Sequence, residues 1–251
     1  KTGLLLFLWS VPAFGAYTNL HSFGASATDG QWPSSELVQQ GGFLYGLTPY
    51  GGVSNCGTFF RMDTNSGVLS VLYRFDESTG RCPLAGLCLY NNRFYGTTSR
   101  GGSNDLGVLF SMTTNGTDYV VEHTFGEESS ANGSFPWGGL LESDGLLYGM
   151  TYRGGVSNMG VVFRFNPSGG AYTNLHSFAS GTGDGKYPQG DLVIVGGRLY
   201  GMTRRAAARD AGWYSAWIRM ERILKRFGSS PGCGMDVILQ VHCWRMGMCS
   251  T

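Results

Sequence analysis

The feature that most constrains this chain is an internal repeat of about fifty residues. The segment AYTNLHSF at 16–23 recurs unchanged at 171–178, and related segments end in the same residue type between them. The closing phenylalanines are 52, 50 and 53 residues apart: Phe23, Phe75, Phe125 and Phe178. A period of this length predicts stacked copies of one small structural unit, none of which buries its apolar faces alone.

Three further markers recur at fixed offsets within each unit. The first is a phrase of the type LYG, whose tyrosines are Tyr45, Tyr95, Tyr148 and Tyr200. The second is Gly-Gly, four residues, Gly and an apolar run, in GGVSNCGTFF at 51, GGSNDLGVLF at 101 and GGVSNMGVVF at 154. The third is Gly-x-x-Pro-x-x-x-Leu, which begins at Gly30, Gly80, Gly133 and Gly185. We therefore expect every unit to have the same strands and loops.

Each unit is predicted to contain four short strands. The alternation in FLYGLT is typical of a half-buried strand, and in the first unit we place strands at 17–23, 36–39, 43–48 and 57–63, with a tight turn at 40–42. Charged residues make up only 14% of the chain, and 41 residues are glycine, as expected for many tight turns. The prediction is an all-β, kelch-like β-propeller array of four-stranded blades, incomplete in this chain, with a solenoid as the alternative.

The repeats set the domain organisation. Residues 16–203 form the array, with units at about 16–67, 68–116, 117–170 and a truncated 171–203. Residues 1–15 are either a secretion-signal-like segment or the last strand of a preceding repeat. A net charge of +1 gives no basic field for nucleic acid, and the sequence contains no apolar run of the roughly 18 residues that a transmembrane helix needs.

The pattern LYGxTxxGGxxxxGxxF followed by LHSF resembles the GloVer-type tandem repeat of bacterial "choice-of-anchor" surface proteins, over about 16–203. The resemblance implies a secreted or envelope-attached bacterial protein with a propeller-like array, and it brings no catalytic residues. A C-terminal anchor segment is not recognisable in the sequence, which departs from that family pattern.

The repeat pattern stops after Thr203, and we interpret 204–251 as an out-of-frame translation. If the codons are read two bases later, Trp213–Tyr214 must give Val, Trp217–Ile218 must give Asp, and Met220–Glu221 must give Gly. All three residues fit the repeat. The alternative is a genuine divergent segment. We expect this tail to be irregular or to form a spurious helix around 211–226.

Aromatic side chains near the predicted loops are the candidates for ligand binding. Rings stack on the apolar faces of sugars, and loops on a rigid scaffold commonly bind ligands. The candidates are Trp32, Tyr50, Trp137, Tyr152 and Tyr187. We therefore predict a non-catalytic extracellular scaffold that binds a glycan or a cell-surface component, as a monomer or associated through its sheet edges. The alternative is a propeller-type enzyme acting on polysaccharide, an analogy of fold alone.

The sequence assigns no catalytic residue, metal or cofactor. His21, His123 and His176 occupy one repeat position, where the second unit has Tyr73, and this repetition favours a structural role. The cysteines show no zinc-binding spacing. Cys82 and Cys88 could bridge in an oxidising compartment, but we expect free, buried thiols.

Sequencing of the coding DNA tests the interpretation of the tail. We expect a second reading frame after the codon for Thr203 that continues the repeat, with Val, Asp and Gly at the three forced positions. An uninterrupted frame without a repeat-like alternative would contradict this interpretation.

Overall fold

The computed structural model describes residues 19–26, 28–126, 131–179, 184–205, 216–220 and 241–243. Within these ranges the chain contains strands and no helix. The strands in chain order are β1 (Gly30–Gln31), β2 (Val38–Gln40), β3 (Phe43–Thr48), β4 (Tyr50–Gly51), β5 (Thr58–Asp63), β6 (Leu69–Arg74), β7 (Cys88–Tyr90), β8 (Arg93–Thr98), β9 (Val108–Thr113), β10 (Val120–Thr124), β11 (Leu141–Ser143), β12 (Leu146–Thr151), β13 (Val161–Asn166), β14 (Ala171–Ser177), β15 (Lys186–Pro188), β16 (Val193–Val195), β17 (Arg198–Arg205), β18 (Ala216–Met220) and β19 (Val241–Cys243).

These strands form four successive antiparallel sheets. The first three have the orders β2-β3-β5-β6, β7-β8-β9-β10 and β11-β12-β13-β14. In the fourth, β17 pairs with β15 and β16 on one side and with β18 on the other, and β18 pairs with β19. Strands β1 and β4 form a separate short ribbon. The prediction of an all-β, propeller-like array of four-stranded blades is confirmed, and the array is open.

The sheets are offset by one strand from the sequence units. Strands β6, β10 and β14 begin the second, third and fourth units in the sequence. In the structure each is the fourth strand of a sheet whose other three strands come from the preceding unit. The strand predicted at 17–23 is therefore wrong in its described part, because residues 19–23 form no ladder.

The glycine of the LYG phrase is required by the packing across each sheet. A Cβ on Gly46 would lie 2.6 Å from the ring Cζ of Phe60, and a Cβ on Gly96 would lie 2.6 Å from that of Phe110. Both glycines are paired directly with these phenylalanines in the ladder. The neighbouring tyrosines Tyr45 and Tyr95 are 3% and 4% exposed, so the phrase buries its ring while leaving room for the facing one.

The apolar core is divided into clusters, each shared by two neighbouring sheets. Between the first and second sheets Phe75 meets Phe110 at a centroid distance of 5.3 Å. Between the second and third sheets Phe125 meets Phe163 at 5.6 Å in the same edge-on geometry. The remaining cluster contains Tyr148, Val162, Phe178, Leu192 and Leu199. Since each cluster takes residues from two sheets, a single sheet has no core of its own.

The tail contributes strands to the fourth sheet. Strand β18 pairs with β17 so that the backbone of Tyr200 is paired with that of Arg219, the register in which Tyr148 is paired with Arg164 in the third sheet. The expected helix around 211–226 is thus wrong for 216–220, and the rest of that range lies outside the described residues. The physical reason is that the free edge of β17 offers unpaired backbone groups, which a strand satisfies and a helix does not.

The sheets are joined by a repeated contact between a proline and a glycine. A Cβ on Gly57 would lie 2.8 Å from Pro83 Cδ, and a Cβ on Gly107 would lie 2.9 Å from Pro136 Cδ. Gly160 has the same relation to Pro188. In each pair the glycine precedes the third strand of one sheet, and the proline belongs to the chain that enters the next sheet.

A Gly107→Ala substitution tests this junction. Gly107 has φ of +98°, and its Cβ would collide with the Thr98 carbonyl oxygen and with Pro136. We expect a loss of roughly 2–5 kcal/mol of stability, from left-handed backbone strain and overpacking together. The matched control is Gly67→Ala at φ of +69°, where no atom lies within 4 Å of the new Cβ. Denaturant unfolding measures both, and equal losses would show that backbone strain alone is responsible.

Candidate functional site

The antiparallel order places two sets of loops on one face of the array. In each sheet the connection from the second to the third strand leaves from the same end as the connection from the fourth strand to the next sheet. The second set contains the Gly-x-x-Pro segments, and the two sets pair with each other through backbone bridges such as Arg81↔Arg100 and Ser134↔Arg153. We name this surface the loop face.

The residue before each of these prolines has a left-handed backbone. The φ values are +58° at Trp32, +55° at Cys82, +55° at Phe135 and +59° at Tyr187. This conformation is unfavourable for bulky residues and is kept only where the surroundings enforce it. At three of these positions the backbone N–H donates to a carbonyl of the preceding sheet's loop, at 3.0 Å for Cys82 to Cys56 and 2.9 Å for Phe135 to Leu106. The strain therefore serves the junction between sheets.

The five predicted aromatic residues lie on the loop face in two groups. Trp32 and Tyr50 meet edge to face with ring centroids 5.8 Å apart, and Trp32 is 75% exposed. Trp137 stacks on Tyr152 at 3.9 Å, and Tyr152 stacks on Tyr187 at 5.1 Å. The second group is a continuous three-ring stack that spans the third and fourth sheets.

A cavity of about 740 Å³ opens next to the three-ring stack. Among the described residues that line this cavity, Trp137 is the only one of the five predicted aromatic residues. The described residues that line the cavity come from the second, third and fourth sheets and their entry loops: Leu84, Trp137, Gln189, Gly190, Met202, Thr203 and Arg204.

Three of these lining residues follow the proline of their unit directly. They are Leu84, Trp137 and Gln189, and the corresponding residue of the first unit is Ser34. One position of the repeat therefore points into the cavity from three successive units, with a different side chain each time. Sequence reasoning did not single out Leu84, Gln189 or Arg204, although the variability of this position within a regular repeat was a usable signal.

Cations surround the three-ring stack. Arg204 Nη1 donates to the hydroxyl of Tyr152 at 3.1 Å, and it is the charged residue among those lining the cavity. The guanidinium carbons of Arg153 and Arg205 lie 5.8 Å and 5.7 Å from the ring centroid of Tyr187. A ligand in the cavity would therefore meet an indole ring, one guanidinium group and an amide.

A second, more polar cavity of about 470 Å³ lies on the loop face of the second sheet. Arg81 forms a bidentate pair with Asp105 at 3.0 and 2.8 Å, and Arg100 lies 3.4 Å from the same carboxylate. The hydrogen bond from Arg81 lowers the pKa of Asp105 below its ordinary value. Asp105 is thus an ionised structural carboxylate, unsuited to act as a general acid.

The repeated histidines pack against the next sheet or pair with a loop carboxylate. His123 stacks on Tyr172 with ring centroids 4.0 Å apart, and Tyr73 stacks in the same way on Tyr119. His21 Nε2 lies 3.2 Å from Oδ2 of Asp29. Within the described ranges no three His, Cys, Asp or Glu side chains are grouped to hold a metal ion. These contacts support a structural role for the repeat position.

The remaining markers and cysteines lie in the packed interior or beside it. Phe75, Phe125 and Phe178 are at most 1% exposed, whereas Phe23 and Tyr200 are half-buried. Cys56 is buried, and Cys82 and Cys88 are half-buried; all three are free thiols. In the part of the chain that the structure describes, no helix has the length and apolarity needed to cross a bilayer.

The repeat is one that occurs in other proteins. The sequence model of the Gloeobacter/Verrucomicrobia repeat matches residues 5–129 and 89–230, which together span most of the chain. The chain therefore belongs to the Gloeobacter/Verrucomicrobia repeat family, as its resemblance to the GloVer-type repeat implies. A search among curated proteins gives no match.

Several solved structures share the general arrangement of strands. Native Bacillus subtilis arabinanase Arb43A is 16% identical with a TM-score of 0.45, covering 80% of this chain and 78% of the other. A chain of the nidogen/laminin complex is 14% identical with a TM-score of 0.42, covering 71% of each chain. GH43B of the Bacteroides ovatus xyloglucan PUL is 14% identical with a TM-score of 0.43, covering 84% of this chain but 43% of the other. Likenesses of this size transfer no activity to this chain.

The buried histidine predicts a loss of stability in mild acid. Burial lowers the pKa of His123 from 6.5 to about 4, so the unfolded chain takes up the proton first as the pH falls. The stabilisation is complete above pH 6.5 and is lost as the pH falls towards and through 4. We expect a lower Tm at pH 5 than at pH 7, and a smaller difference in His123→Tyr, which carries the residue type of position 73.

The pH comparison has an internal control. Burial also lowers the pKa of His176, so part of the difference should persist in the variant. The carboxylates whose pKa is lowered titrate near 3.8 in the unfolded chain and below 3.8 in the folded chain, so they contribute little at pH 5. An unchanged difference between pH 5 and pH 7 in His123→Tyr would contradict the assignment.

Proposed function

We propose that this chain is a non-catalytic binding scaffold whose ligand, a carbohydrate, occupies the cavity beside Trp137 on the loop face. The observation that carries the proposal is the convergence of three variable positions, Leu84, Trp137 and Gln189, on a cavity of about 740 Å³. The glycine and the proline that join the sheets are the same at each of the three junctions. The position that faces the cavity, in contrast, differs in each unit.

The chemistry of the lining suits a polyol with one apolar face. An indole ring can cover the C–H face of a pyranose ring, while amide and guanidinium groups can bond to its hydroxyls. Trp137, Gln189 and Arg204 provide the indole, amide and guanidinium groups. The stack of Tyr152 on Trp137 holds the indole ring in place, which lowers the entropy lost on binding.

The described lining supports binding rather than cleavage. A glycosidase needs two carboxyl groups on either side of the scissile bond. None of the seven lining residues carries a carboxylate, imidazole or thiol. The other cavity is lined by Glu77 and Asp105, and the carboxylate of Asp105 is held by Arg81.

We also propose where the protein is located. The family is a bacterial repeat family, and the low charge with many polar loops suits a secreted or envelope-attached scaffold. Its partner would then be a glycan or another cell-surface component. In that location the loop face would be accessible to an extended glycan.

A glycan array probed with the full chain tests the proposal, followed by calorimetric titration with the best polysaccharide found. We expect Trp137→Ala to weaken binding about tenfold or more, since removal of a buried aromatic anchor costs at least about 1.4 kcal/mol. The folded state of the variant is checked by its Tm.

Trp32→Ala is the matched control, because Trp32 is an exposed tryptophan of the same face that does not line the cavity. Its affinity should stay within about twofold of the parent chain. Binding that is lost in Trp32→Ala but kept in Trp137→Ala would move the site to the first unit. The absence of binding to any glycan would overturn the carbohydrate assignment.

A further inference from the structure

The junction between the first and second sheets differs from the other two in a coordinated way. Each junction has a backbone hydrogen bond from the residue before the proline to the residue before the contact glycine. At the second and third junctions these are Phe135 with Leu106 at 2.9 Å, and Tyr187 with Met159 at 2.9 Å. At the first junction they are Cys82 with Cys56 at 3.0 Å, so both members of the pair have become cysteine.

This double replacement needs an explanation beyond packing. At each of the other junctions the pair is a large apolar residue that packs against an apolar cluster, Leu106 or Met159, and an aromatic residue, Phe135 or Tyr187. Two cysteines fill less volume, and a loss of packed volume in a core is destabilising. A covalent bond between the two sulfur atoms would compensate for this loss of stability, and it requires that both residues be cysteine.

We propose that Cys56 and Cys82 form a disulfide bond that links the first two sheets when the protein is in an oxidising compartment. A single backbone N–H···O=C bond brings the Cα atoms of its two residues to about 5–6.5 Å, which overlaps the range of about 4.4–6.8 Å that disulfides require. The backbone bond therefore already brings the two residues to bonding range, and the reaction needs a turn of the side chains. At present the Cys56 thiol points to the carbonyl oxygen of Ser54 at 3.3 Å.

The surroundings define the order of the reaction. Cys56 is 4% exposed and Cys82 is half-buried, so Cys82 is the thiol that an oxidant reaches first. Burial raises the pKa of both thiols, and the neighbouring Arg81 guanidinium opposes that rise. With glutathione disulfide as oxidant, the Cys82 thiolate displaces one glutathione and forms a mixed disulfide. The Cys56 thiolate then displaces the second glutathione, so two thiols are oxidised and two glutathione molecules are released.

The other pairing that the sequence allows, Cys82 with Cys88, is less favourable in this fold. Cys88 begins the first strand of the second sheet and packs against the cluster shared with the third sheet. Its sulfur lies beside the backbone N–H of Glu142, and burial raises its pKa to about 11. Cys56, in contrast, belongs to the cluster between the first and second sheets.

The expected consequence is a covalent clamp across one junction of an open array. The bond would close a loop from 56 to 82 and restrict the unfolded chain. Since the array lacks ring closure, a clamp at one junction limits separation of the first sheet from the rest. This inference does not depend on the proposed glycan binding.

Peptide mapping of the full chain tests the bond. The chain is equilibrated with glutathione disulfide and reduced glutathione, its remaining thiols are alkylated, and it is digested with trypsin. Since trypsin leaves Cys82 and Cys88 together in peptide 82–93, the mapping is done in Cys88→Ser. We expect peptide 82–93 linked to peptide 2–61, and a Tm higher by roughly 5–10 °C in the oxidised form than after reduction.

Two outcomes would overturn the proposal. One is full alkylation of both Cys56 and Cys82 in the oxidised, folded Cys88→Ser chain. The other is a bond from Cys82 to Cys88 in the parent chain, or from either residue to a tail cysteine, in place of the expected one. In Cys82→Ser the rise in Tm on oxidation should disappear. If that variant does not fold, the peptide map of Cys88→Ser still decides the result.

Discussion

The contact on which the array depends is the one between a glycine of one sheet and a proline of the next. Gly107 has φ of +98° and no side chain, and Pro136 fills the space that a Cβ would take. The backbone hydrogen bond from Phe135 to Leu106 fixes the same two segments to each other. Since every apolar cluster is shared by two sheets, the cores exist only if this contact holds the sheets together.

In a regular repeat, the positions at which the units differ in residue type are informative. The glycine and the proline that join the sheets keep their residue types, whereas the residue after the proline changes from Leu84 to Trp137 to Gln189. That position faces the cavity, where a changed side chain would alter the contacts of the proposed ligand. The paired change to Cys56 and Cys82 occurs instead at the junction itself, so it bears on stability. Substitutions at the cavity position and at the junction can therefore be compared within one chain to separate effects on the proposed binding from effects on folding.

Much of the fold could be predicted because the repeat fixes strands, turns and their order. Periodicity could not assign the strand ending in Phe75 to a sheet, since pairing with the preceding β5 is a property of three-dimensional neighbours. The helix expected in the tail was wrong at 216–220 because the open edge of β17 outweighs local helical pattern. Of the five aromatic candidates, the sequence could not tell Trp137, which lines the cavity, from Trp32, which does not.

The sequence by itself determined the unit, because glycine, proline and the alternation of apolar residues act locally on backbone and burial. It also determined that units must stack, since one unit has no closed core. Only the tertiary structure decided which residues of different units meet. Leu84, Trp137 and Gln189 lie 53 and 52 residues apart in the chain, yet line one cavity. Cys56 and Cys82 likewise meet only because a backbone hydrogen bond between two sheets joins them.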